Sequence, residues 1–110
     1  MKIIDAHHHF WNVSSDKYTW LADESLDLLW GKPIELPRSY LPKDMEADAS
    51  PFELSKSVHV QCFRDPADPV EESRWLQGLA DDPDLGGYPH AIVAFADFSS
   101  PDIDEILSQH

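Results

Sequence analysis

The stretch Asp5-Ala6-His7-His8-His9-Phe10-Trp11 holds the residues best suited to chemistry in this chain. Successive side chains of a strand alternate between two faces, so a strand over Ile3 to His9 places Ile3, Asp5, His7 and His9 on one side and His8 on the other. Two imidazoles at i and i+2 can reach one metal ion, and neutral imidazole is the commonest metal ligand. Two plainer readings compete. The histidines could be the remnant of an affinity tag, or a strand end whose rings meet solvent and backbone carbonyls. Tags are usually longer and flanked by linker residues, whereas this run follows an apolar lead-in and has an acidic residue in phase with it. A site built at a strand end is the expectation.

The elements that must position this pair follow from periodicity. Residues 2–9 read as the first strand. Phe10 to Tyr40 is a long excursion without a clean period, carrying Trp11, Trp20 and Trp30. Long connections in compact domains tend to be functional, and the tryptophans either anchor the segment or close it as a lid. A short helix is expected over Leu41 to Ala47, with proline near its start and acidic residues in its first turn. Ser57 to Phe63 alternates as a second strand, with Val58, Val60 and Cys62 on one face and His59, Gln61 and Phe63 on the other. Asp68-Pro69 opens a helix over Glu71 to Ala80, whose Trp75, Leu76 and Leu79 form the core-facing stripe. After a loop broken by Gly86-Gly87, His90 to Asp97 reads as a third strand and Pro101 to Leu107 as a helix. Strands alternating with helices imply α/β architecture with parallel neighbours in chain order.

Bulk properties narrow the function classes. The chain has 110 residues, 8 Lys+Arg against 21 Asp+Glu, and a net charge of -13. Nucleic acids and anionic membranes demand clustered positive charge, and Arg38, Arg64 and Arg74 are scattered, so neither is an expected partner. The single cysteine, Cys62, forms no intrachain disulfide and sits in an apolar run where burial is its expected role. No signal peptide or membrane-length apolar stretch is evident, so a cytoplasmic location is expected.

The motif Asp5-Ala6-His7-His8-His9-Phe10-Trp11 resembles the opening of the amidohydrolase-related family, its amidohydrolase 2 branch, which contains sugar lactonases and 2-pyrone-4,6-dicarboxylate lactonase. The resemblance continues through Ser57-Val58-His59-Val60-Gln61, Asp65-Pro66-Ala67-Asp68-Pro69-Val70, Glu72-Ser73-Arg74-Trp75-Leu76 and Pro89-His90-Ala91-Ile92-Val93-Ala94. It implies a TIM-barrel hydrolase in which His7 and His9 are the histidine pair ending the first barrel strand. In metal-using relatives that pair ligates a divalent ion, usually zinc; other lactonases of the branch use the same histidines to hold the substrate.

What the resemblance implies is a lactone or similar small carbonyl substrate attacked by an activated water, with His7 and His9 as catalytic residues and metal ligands. A decarboxylase on the same fold is the enzymatic alternative. Gln61 either hydrogen-bonds substrate or packs the barrel, Phe95 and Asp97 face the same choice, and Asp5 organises the barrel interior. A barrel takes eight strand–helix units in about 250 residues, and three are present. Residues 1–110 therefore read as the N-terminal part of one such domain, an incomplete barrel whose later histidines and final aspartate lie elsewhere. A truncated, non-catalytic remnant or subunit fragment is the reading from another class. The partners expected are a small-molecule substrate and either a second copy of the chain or the missing part of the barrel.

Overall fold

β1 (Lys2–His8), β4 (Glu53–Val60) and β5 (Ala91–Val93) form one sheet in the order β1-β4-β5, with both pairings parallel. The computed structural model describes residues 1–14, 16–22 and 36–110 of the chain. The parallel order matches the expectation, because each crossover carries a helix that packs back on the sheet. The second strand begins earlier than the periodicity suggested, at Glu53, whose amide donates to Met1 O at 3.1 Å, and it ends at Val60. The third is shorter, since only Ala91–Val93 pair with β4 and residues 94–97 run beyond the ladder.

The pairing of β1 with β4 is interrupted twice. Ile3 and Ile4 face Leu54 and Lys56, and Asp5 and His8 face Ser57 and His59. At the second break β1 carries one residue more than its partner, so a β-bulge falls at Ala6–His7 and shifts the alternation. The strict period-two placement of Asp5 with His7 is thereby corrected. His8 instead lies beside His59 on the buried side, and His7 is exposed.

That buried side is covered by α2 (Pro42–Ala49) and α3 (Glu71–Asp81). Pro42 opens α2, and the Asp44 carboxylate accepts the Leu41 amide at 2.8 Å, satisfying a donor that the first helical turn cannot. Phe10, Met45, Leu76 and Tyr88 form the core, with Trp75 and Leu79 packed against it, as the spacing of the α3 stripe predicts. A 3-10 turn over Pro83–Leu85 ends at Gly86, whose φ of 72° is left-handed and whose place admits no side chain, because a Cβ there would lie 2.8 Å from the Tyr88 ring. α4 (Ile103–Gln109) follows β5.

The opposite face of the sheet is open. Ile4 is 64% and Val93 50% exposed there, and Val58 and Val60 are only half-buried. Parallel sheets in α/β proteins are ordinarily covered on both faces. Among the described residues nothing closes the three strands into a barrel.

The excursion is tied down at both ends. β2 (Trp11–Asn12) and β3 (Ser39–Tyr40) make a two-residue antiparallel ribbon in which Trp11 stacks on Tyr40 and its Nε1 donates to Pro37 O at 2.8 Å. Around α1 (Thr19–Ala22), Trp20 Nε1 donates to Cys62 O at 2.9 Å and the Tyr18 amide to Arg64 O at 2.9 Å. Trp11 and Trp20 thus anchor the segment; Trp30 lies outside the described residues. No helix among the described residues is long and apolar enough to cross a membrane.

Candidate functional site

Parallel strands bring all their carboxyl ends to one edge of a sheet, where open α/β folds bind ligands. At this edge β1 delivers its histidines, and β4 and β5 deliver the segments after Val60 and Val93. The His7 and His9 rings lie 5.2 Å apart, centre to centre, and nearly perpendicular. Two imidazoles sharing one tetrahedral ion through bonds of about 2.1 Å have ring centres about 5 Å apart, so the pair fits a shared ion. An edge-to-face contact gives a similar spacing.

The donor chemistry of His9 is compatible with the first use. Its Nδ1 lies 2.8 Å from Val60 O, and since a carbonyl only accepts, Nδ1 carries the proton. The Nε2 lone pair is then the one available to a ligand, the arrangement typical of metal-bound histidines. The Asp5 Oδ1 accepts the His7 amide at 3.0 Å and so braces the bulge that presents His7. Among the described residues no group of three or more His, Cys, Asp or Glu side chains could hold a metal, so the pair is an incomplete ligand set.

His8 and His59 belong to a different environment. They are 8% and 0% exposed, with rings 5.5 Å apart, and burial pushes their pKa values down to about 4 and about 3. Both are neutral at pH 7. Among the described residues neither ring nitrogen of His8 has a partner, nor does His59 Nδ1 or the neighbouring Ser57 Oγ.

Gln61 lies just past β4, not on an inward face of it. Its amide donates to Val93 O at 2.9 Å, and its Oε1 accepts the Phe63 amide at 3.2 Å. That contact holds a turn in which Phe63 takes a φ of 51°, a conformation rare for a bulky residue. Phe63 rests against Phe95, ring centres 5.1 Å apart, and Asp97 caps the turn before α4 by accepting the Ser99 amide at 2.8 Å. Cys62 is buried, and burial together with the nearby Glu72 carboxylate pushes its thiol up to about 12, so it is no nucleophile at neutral pH.

Glu72 is the polar residue that periodicity alone concealed, because it falls within the apolar stripe of α3. It is 8% exposed and accepts from the Cys62 amide at 2.7 Å and from the Tyr18 hydroxyl at 2.8 Å. Burial raises its pKa, opposed by those two hydrogen bonds. Beside it the Arg64 guanidinium lies over the Trp75 and Tyr18 rings and bonds Glu71 at 3.2 Å, while Lys17 pairs with Asp65 at 2.7 Å. These contacts strap residues 17–20 across the carboxyl end of β4, next to the histidines.

The chain is 40% identical over 108 residues to "Uncharacterized protein y4mH" of Sinorhizobium fredii, a match covering 98% of this chain and 35% of that protein. It thus spans about a third of the length of the curated relative it matches, a protein of roughly 300 residues. No family model and no solved structure matches the chain.

Proposed function

We propose that this chain supplies the first part of the active site of an amidohydrolase-like hydrolase acting on a lactone or a similar small carbonyl compound in the cytoplasm. The observation that carries the reading is the His7–His9 pair at the carboxyl end of a parallel strand, with rings 5.2 Å apart and the His9 proton held on Nδ1. A divalent ion, zinc by preference, is the group these side chains suit, and the chemistry it supplies is polarisation of the substrate carbonyl and activation of water. His7 and His9 hold and orient that group through their free nitrogens. In a metal-free variant of the mechanism the same nitrogens bind the substrate. Gln61, at the same edge, is the candidate contact to substrate once its carboxamide turns from Phe63.

The fold proposed for the whole protein is a (β/α)8 barrel, of which residues 1–110 are the first three strand–helix units. Three features support it: the open apolar face carrying Ile4 and Val93, the outer edges of β1 and β5 that no strand among the described residues pairs, and a relative whose roughly 300 residues leave room for further units. Two imidazoles fall short of the three protein ligands and oriented base of a catalytic zinc site. The 110-residue chain alone is therefore expected to show negligible turnover on a panel of sugar and aromatic-derived lactones, with or without zinc. The same sequence continued through further strand–helix units is expected to be active, and to lose on the order of 100-fold or more when His7 or His9 becomes alanine. Robust hydrolysis by the isolated chain, or unchanged turnover in a full-length His7→Ala, His9→Ala double variant, overturns the reading.

A further inference from the structure

We infer that His59 is a positioning residue for His9, acting through a reciprocal histidine clasp between β1 and β4. The inference rests on the reading of His9 as a ligand-bearing residue. The last paired residues of the two strands are His8 and His59, so beyond them the ladder no longer fixes residues 9–10 against residues 60–61. Two side-chain hydrogen bonds take over. The His9 ring donates from Nδ1 to Val60 O at 2.8 Å, and the His59 ring donates from Nε2 to Phe10 O at 3.4 Å. Each histidine thus grips the backbone residue that follows the other, and the two rings meet at right angles with centres 6.0 Å apart.

The consequence for His9 is specific. A ring nitrogen can choose its tautomer only if its carbonyl partner stays within reach, and here that partner is the residue after His59. Holding Phe10 O keeps the chain at His9 from swinging away from Val60, and so keeps the proton on Nδ1 and the lone pair on Nε2. His59 is fully buried, with no exposed ring atom to serve as a ligand itself. Its role is therefore exerted through the backbone and not by contact with substrate.

The test compares His59→Phe, which fills the space without a donor, with His59→Gln, whose amide nitrogen can stand where Nε2 stands. Imidazole 15N chemical shifts at fixed pH report the His9 tautomer in the metal-free protein, and titration with zinc alone reports affinity. In His59→Phe the Nδ1–H form of His9 is expected to lose its dominance and zinc affinity to fall about 10-fold, the usual effect of removing an outer hydrogen-bond partner of a ligand. His59→Gln is expected to keep both near the parent. Amide dispersion in the 1H–15N spectrum establishes that each variant is folded; should His59→Phe not fold, the tautomer in His59→Gln and in His59→Leu decides. A folded variant without the donor and with an unchanged His9 tautomer overturns the clasp. If the parent binds no zinc, the metal reading falls while the tautomer comparison still decides the clasp.

Discussion

Acidification from pH 7 to pH 4 is expected to remove several kcal/mol of stability. His8 and His59 have folded pKa values of about 4 and about 3 against 6.5 for the free side chain, because burial disfavours the imidazolium. Between 6.5 and those values the unfolded chain binds more protons than the folded one, so stability falls as pH falls. A tenfold change in proton affinity is worth about 1.4 kcal/mol, so each histidine accounts for a loss of up to about 3 kcal/mol by pH 4. Together they rival the whole stability of a small domain, about 5–15 kcal/mol.

Other groups act in different windows or with the opposite sign. Asp65, Asp68 and Asp97 have lowered pKa values, led by side-chain hydrogen bonds from Lys17, Arg74 and Ser99, so their contribution is lost only below about 3.8. Glu72 is raised above 4.5 by burial, and its protonation partly offsets the histidines as the pH drops. Denaturant unfolding from pH 7 to pH 4 is expected to show a slope approaching two protons, falling to about one in His8→Phe. A flat profile down to pH 5 would show that the two rings are not buried as described.

Replacing Glu72 is expected to have a comparable effect at neutral pH. Glu72→Ala strips the acceptor from the Cys62 amide and the Tyr18 hydroxyl, both of which stay buried. Hydrogen bonds to a charged group contribute about 1.5–3 kcal/mol each, and relief of the buried carboxylate returns part of that, leaving a loss of about 2–4 kcal/mol. Tyr18 also carries a left-handed φ of 51° that its surroundings must hold in place, so the strap over the strand end should loosen with it. Urea unfolding measures the loss, and hydrogen exchange at the Tyr18 amide reports the strap. A change below about 0.5 kcal/mol would remove Glu72 from its central place in the packing.

How far these features could be read in advance depends on how local their causes are. The parallel order follows from strand and helix signals alternating along the chain, and the Trp75, Leu76, Leu79 stripe follows from the 3.6-residue period. The bulge at Ala6–His7 follows from neither, because it is a mismatch between two strands some fifty residues apart. Glu53 to Lys56 lack strand alternation and join β4 only because β1 lies beside them. Glu72 occupies an apolar phase of its helix, and its partners lie 10 and 54 residues away. Of the site itself, adjacency of His7 and His9 was legible from their spacing. The tautomer of His9, set by Val60 at a separation of 51 residues, was not.

The central claim is that His7 and His9 act together on one ion. Calorimetric titration of the full-length protein with zinc at pH 7.5, repeated on His7→Ala, His9→Ala and His8→Phe, tests it most directly. One zinc per chain is predicted, with binding abolished or weakened at least 10-fold in either alanine variant and kept in His8→Phe, whose ring is buried away from the pair. Absence of binding by the parent, or equal affinity in the parent and the two alanine variants, would contradict the account.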